Sequence, residues 1–315
     1  MSSSPSSPSA PSHSGSHSGS HLASGLILGV VGAIAFSGKA IIVKLAYRHQ
    51  VDAVTLIMLR MVFALPFFAA MAWWASRGKA ALTRKDWLGV IGLGVSGYYL
   101  ASFLDFAGLV YITAGLERLV LYLTPTLVVG LGWLLYGQRI TRVQALAMLI
   151  SYAGVLAVFG QEVRLQGSSV AWGVTLVFLS AVSYAIYLVY SGEIVRRLGS
   201  LRLVGLATSV ACLCCMAQFA LLRPLSAAWE VAPQVVWLSV FNAVFCTVVP
   251  VLLVMMAIER IGSSMVAQIG LIGPLSTVLM GVWLLDEPFT AGIAIGTALV
   301  VAGIFVFTRA GARRG

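Results

Sequence analysis

The chain has 315 residues, 60% of them hydrophobic and only 10% charged, with a formal net charge of +10. Soluble domains carry roughly 25% charged residues, so a mean hydropathy of +0.98 excludes a soluble fold and leaves lipid as the solvent. No polar stretch is long enough for a soluble catalytic or nucleotide-binding domain, and the basic excess fits loops beside a membrane rather than nucleic acid as a partner.

Residues 1–21 are mostly Ser, Pro, Gly and His and lack the basic start of a secretory signal. They cannot bury a core and are expected to be disordered. His13, His17 and His21 lie in this tail and His49 in a loop, which leaves no histidine for the membrane body. Apolar runs of about the length needed to cross a bilayer follow at 22–46, 53–75, 87–111, 114–136, 143–160, 170–191, 201–222, 235–258, 263–285 and 291–309. The expected fold is therefore an all-α integral membrane protein with ten transmembrane helices. Cys212, Cys214, Cys215 and Cys246 fall inside these runs without a metal-ligand spacing, and read as packing residues. No metal or cofactor is expected.

Basic residues orient the spans. With a cytoplasmic N-terminus, thirteen Lys and Arg fall on the inside and four on the outside, which predicts that both termini are cytoplasmic. The expected location is the cell (inner) membrane.

The chain also resembles itself. At an offset of 149 residues Pro125 meets Pro274, Gly132 meets Gly281, Gln138 meets Glu287, Thr141 meets Thr290 and Gly154 meets Gly303. This predicts two five-helix repeats, at 22–160 and 161–309, with a basic cytoplasmic tail at 310–315. Five is odd, so the second repeat enters the membrane inverted, as in secondary transporters whose site lies at the repeat interface.

Several motifs carry a family resemblance: Phe36-Ser37-Gly38-Lys39 in the first span, Arg60 in the second, and Pro125 and Pro274 in the fourth and ninth. In this order they resemble the EamA-type ten-helix members of the drug/metabolite transporter superfamily. The turns Gly137-Gln138-Arg139 and Asp286-Glu287-Pro288 depart from that family's Gly-Glu-Arg-like pattern. The resemblance implies a carrier of small solutes that does not hydrolyse ATP.

Ionisable residues inside a span are functional candidates, because burying them costs energy. Lys39, Arg60, Asp105, Glu117 and Arg118 qualify, and all five are expected in the outer half. Asp105 and Arg118 are expected to be able to pair across the turn at Thr113. Further candidates for substrate binding or coupling are Tyr98 and Ser102 on the face of Asp105, Tyr122 one turn after Arg118, Tyr184 and Tyr187 in the sixth span, Asn242 in the eighth and Gln268 in the ninth. Pro125, Pro250 and Pro274 are expected to kink their helices. For each, helix–helix packing or a structural ion pair is the alternative reading. Gly25-xxx-Gly29 and Gly292-xxx-Gly296 place small residues one turn apart and leave an oligomer contact open.

The expected function is a secondary transporter of amino acids or related metabolites, exporting by alternating access with proton coupling. The partners are the bilayer, a small solute and protons. The alternatives are an intramembrane enzyme, which would have to work without histidine, and a sensor or scaffold that does not turn over.

Overall fold

The computed structural model describes residues 16–137 and 139–312, all helix and loop with no strand among them. Most of the expected tail, with His13, lies outside the described residues, as do Gln138, Arg313 and Arg314. Among the described residues, ten helices are long and apolar enough to cross a membrane. They are α1 (Leu22–Tyr47), α2 (Ala53–Ser76), α3 (Arg84–Leu109), α4 (Ala114–Tyr136), α5 (Arg142–Gln166), α6 (Ser169–Leu198), α7 (Ser200–Leu222), α8 (Pro233–Gly262), α9 (Gln268–Leu285) and α10 (Ala291–Ala310). The first helix itself begins at Ser16, six residues before the expected span.

Short polar signals set the helix starts. Asp52 accepts hydrogen bonds from the Val54 and Thr55 amides, and Thr83–Asp86 and Thr141–Gln144 form capping boxes. Thr113 caps α4 through the Leu116 amide. Gly137 ends α4 in the left-handed region at φ 64°, and Asp286, its counterpart 149 residues on, ends α9 at φ 58°.

The packing is symmetric under exchange of the repeats. Helix α1 packs on α8 and α9 as α6 packs on α3 and α4, while α2 packs on α7 and α5 on α10. The α5–α10 contact is self-complementary. A Cβ at Gly154 would lie 2.7 Å from the Gly296 carbonyl oxygen, and one at its counterpart Gly303 would lie 2.8 Å from that of Ala147. Only glycine permits backbones to approach this closely. Gly25 and Gly29 back onto α8 and Ile269, and Gly292 and Gly296 onto α5. Both small-residue stripes are thus occupied inside the protomer.

Two local irregularities recur in both repeats. Helices α3 and α8 carry π-helical turns at Gly94–Leu100 and Val244–Val248. Helices α4 and α9 are interrupted at Tyr122–Leu123 and Leu271, which also correspond at the 149-residue offset. With ten crossings the start of α1 and the end of α10 lie on one side, called here the terminal face. The opposite side is the distal face.

Candidate functional site

The two helix interruptions meet at the centre. Pro125 and Pro274 follow them by one turn and lack an N–H, so the carbonyls four residues earlier lose their helical donor. The Leu121 carbonyl accepts instead from Thr124 Oγ1 at 2.6 Å. The Gly270 carbonyl accepts from the hydroxyl of Tyr122, which stands at the break of the other repeat. Ser37 of α1 lies beside the same break, with Oγ 3.1 Å from the Gly273 carbonyl oxygen.

The charged side chains gather next to these breaks. Lys39 Nζ lies 2.5 Å from Asp105 Oδ2 and 3.5 Å from Glu117 Oε1. Arg118 donates to Ser37 Oγ at 3.3 Å, and its guanidinium lies 5.1 Å from the Phe36 ring and 5.3 Å from that of Tyr122. Arg60 sits 4.6 Å over the Phe106 ring, and no carboxylate among the described residues is within ion-pair distance of it. Asn242 of α8 donates to the Lys39 carbonyl at 3.2 Å. All five ionisable groups are buried. The chain does not fill their hydrogen-bonding capacity: Asp105 Oδ1, both Glu117 oxygens, Arg60 Nε, Arg118 Nε and Asn242 Oδ1 have no hydrogen-bond partner. Each such buried group costs about 1–3 kcal/mol.

An aromatic wall stands on α3 and α6. The Tyr98 and Tyr187 hydroxyls are 3.1 Å apart, and the Tyr184 ring stacks on Tyr187 at 5.5 Å. Tyr184 lies on the helix face of Val177 and Ala181, which are fully buried, yet it is 37% exposed. Phe36 shares a face with Gly29, Gly32 and Ala40 and is 39% exposed. Both rings are thus partly accessible on helix faces that otherwise pack into the bundle.

The distal end is closed across the repeats. Glu287, after α9, accepts from the Ala114 and Gly115 amides at 2.8 and 3.4 Å. Glu162 of α5 accepts from the Thr113 amide at 3.2 Å and from its hydroxyl. Arg48, after α1, donates to the Leu285 carbonyl at 2.8 Å, and Lys44 to those of Leu109 and Ile112. Anions thus sit at the N-terminus of α4 and cations at the C-termini of α3 and α9, as the helix dipoles favour. Burial pushes the Glu287 carboxyl above its ordinary range, against the lowering effect of the amides and of Lys44.

Residues 23–160 and 171–309 match the EamA-like transporter family. The chain belongs to that family. Its relatives include the uncharacterized transporter YcbK of Bacillus subtilis, 28% identical over 82% of this chain and 84% of its own length. An uncharacterized transporter of Archaeoglobus fulgidus is 24% identical over 87% and 94%. A protein of known crystal structure superposes with a TM-score of 0.59 at 22% identity, covering 92% of this chain and 98% of its own, and shows the same fold. The protein is accordingly a multi-pass membrane transporter of the drug/metabolite class.

Several expectations change within this EamA-like fold. Asp105 pairs with Lys39 and not with Arg118, because α1 lies between them and presents the lysine. Tyr98 and Asp105 do not act from one face. The π-turn alters the register of α3, so Tyr98 meets Tyr187 while Asp105 meets α1. A π-turn likewise lies between Asn242 and Pro250, although Asn242, Cys246 and Pro250 all remain buried. Ser102 and Gln268 are half-buried, and their side chains make no hydrogen bond among the described residues. Ser180 and Ser183 bond the Ala101 and Ser96 carbonyls and act as helix–helix contacts. Glu162 lies beyond the expected end of the fifth span at residue 160, because α5 continues to Gln166. Among the described residues no cluster of three or more side chains is suited to hold a metal.

Proposed function

We propose that this EamA-like protein is a secondary carrier of small organic solutes, amino acids or related metabolites, and that it exports them by alternating access of its two repeats. The observation that supports this most is the buried cluster of Lys39, Arg60, Asp105, Glu117 and Arg118 beside both helix breaks, with polar atoms the chain leaves unbonded. A partly satisfied network is costly unless a polar solute or water completes it. A solute carboxylate would meet Arg60 or Arg118, and a solute ammonium would meet Asp105 or Glu117. Tyr98, Tyr184 and Tyr187 would form the apolar wall of its path.

The orientation we propose puts both termini in the cytoplasm of a cell whose inner membrane holds the protein, because Lys and Arg concentrate on the terminal face. The distal closure through Glu287, Glu162 and Arg48 is then the external gate. One lysine facing two carboxylates supplies a place for a coupling proton. The same residues carry out no chemical conversion in this reading.

Proteoliposome flux tests the proposal. Labelled amino acids should cross unchanged and respond to an imposed pH gradient, and Asp105→Asn with Glu117→Gln should abolish that response. Product formation without flux would favour an enzyme. Flux indifferent to the gradient, with the double variant transporting normally, would remove proton coupling.

A further inference from the structure

On the terminal face, the loop between α2 and α3 meets the turn between α6 and α7. Arg202 ties the two, donating to Ser76 Oγ at 3.0 Å and to the Ala80 carbonyl at 3.1 Å, and Arg197 pairs with Asp86. Leu82 packs among Val195, Leu198 and Leu203 beneath them. Around this joint stand five further cations: Arg77, Lys79, Arg84, Lys85 and Arg196. All five are exposed, and none has an ion-pair partner among the described residues. The acids of the corner are Asp86, already paired, and Glu193.

Three tryptophans give the depth of this corner. Trp73 and Trp74 at the end of α2 are 62% and 65% exposed, and Trp87 at the start of α3 is 44% exposed. Arg77 stacks on Trp73 at 3.6 Å. Exposed tryptophans at the ends of spanning helices sit at headgroup level. The cations therefore stand where lipid phosphates are.

The repeat symmetry supplies an internal control. The corresponding corner of the distal face joins the α1–α2 and α7–α8 loops. It has exposed tryptophans too, Trp229 and Trp237, but its charges balance: Arg48 and Arg223 stand against Asp52 and Glu230, and Arg223 pairs with Asp52. The packing of this corner therefore does not itself require the excess of charge, which is also what orients the spans.

We infer that the α2–α3/α6–α7 corner is a binding site for the phosphate headgroups of anionic phospholipids. Unpaired cations at a membrane surface attract such lipids by about 1 kcal/mol each. The tie from Arg202 to the α2–α3 loop joins an element of one repeat to one of the other, so a bound lipid would bear on the contact between the repeats.

The test uses the full chain in phosphatidylcholine bilayers with spin-labelled phosphatidylglycerol or spin-labelled phosphatidylcholine as probe. The wild type should bind the anionic label preferentially, and Lys79→Gln/Lys85→Gln should reduce that preference by up to about five-fold per cation removed. Lys79→Arg/Lys85→Arg should retain it, and Arg260→Gln/Arg309→Gln, on the same face but outside the corner, should leave it nearly unchanged. Raising the salt should erase the wild-type preference without any variant. An equal loss in both Gln pairs would reduce the site to the general charge of the face and overturn it. So would a preference that salt does not touch, or displacement of the label by inorganic phosphate alone, which would mark a free-phosphate site.

Discussion

Replacing Lys39 by Met isolates what the central ion cluster contributes. The ammonium stands 2.5 Å from Asp105 and 3.5 Å from Glu117, and the three side chains are at most 11% exposed. Removing one member of a buried pair costs about 3–5 kcal/mol, because the remaining charge is left uncompensated. Here two carboxylates would remain, so the upper part of that range is expected. A chain of 315 residues loses about 1.5 °C of melting temperature per kcal/mol, so Lys39→Met should melt about 6–8 °C lower in detergent. The triple variant Lys39→Met/Asp105→Asn/Glu117→Gln should recover most of the loss, since a neutral replacement of a buried pair is often tolerated. Tryptophan fluorescence during heating reads both. If Lys39→Met melts within about 2 °C of the wild type, the cluster is not the electrostatic unit described here. A triple variant worse than the single one would refute the same reasoning from the other side.

The distal gate should respond to pH through Glu287. Its carboxyl is held above the ordinary range in the closed arrangement, so protonation favours closure, and closure weakens as pH rises through the shifted value. Glu162 and Lys44 face the same helix end, so the comparison must be with Glu287→Gln, in which this part of the pH dependence should vanish; labelling of a cysteine placed at residue 115 measures it. Asp286→Gly should raise stability by about 0.5–1 kcal/mol, because a non-glycine residue at φ 58° is strained and the exposed contact with Arg48 is worth little; an unchanged or lower melting temperature would contradict this. Tyr122→Phe removes the donor from the Gly270 carbonyl and should cost about 1–3 kcal/mol. A smaller loss would mean that the two helix breaks are not held together by this bond.

The fold was largely legible because its cause is local. Each crossing is a run of apolar residues long enough to span lipid, and each boundary is a cap or a polar turn within a few residues of it. Pro125 and Pro274 and the 149-residue offset exposed the repeat for the same reason, since a proline acts on its own helix. Lys39, Arg60, Asp105, Glu117 and Arg118 could be named as candidates from hydropathy alone, because a charge in an apolar run is costly wherever it ends up. Their partners could not. Asp105 meets Lys39 because α1 packs between the helices that carry Asp105 and Arg118, an arrangement of elements far apart in the chain. The π-turns shift side chains between faces that a constant helical period assigns wrongly. Glu162 and Glu287 become a gate only when α5, the end of α9 and the N-terminus of α4 converge on one point. The sequence by itself determined which residues must lie in the membrane and where the chain turns. Only the tertiary structure decided which charges face one another, because side-chain pairing depends on helix register and packing that no single span encodes.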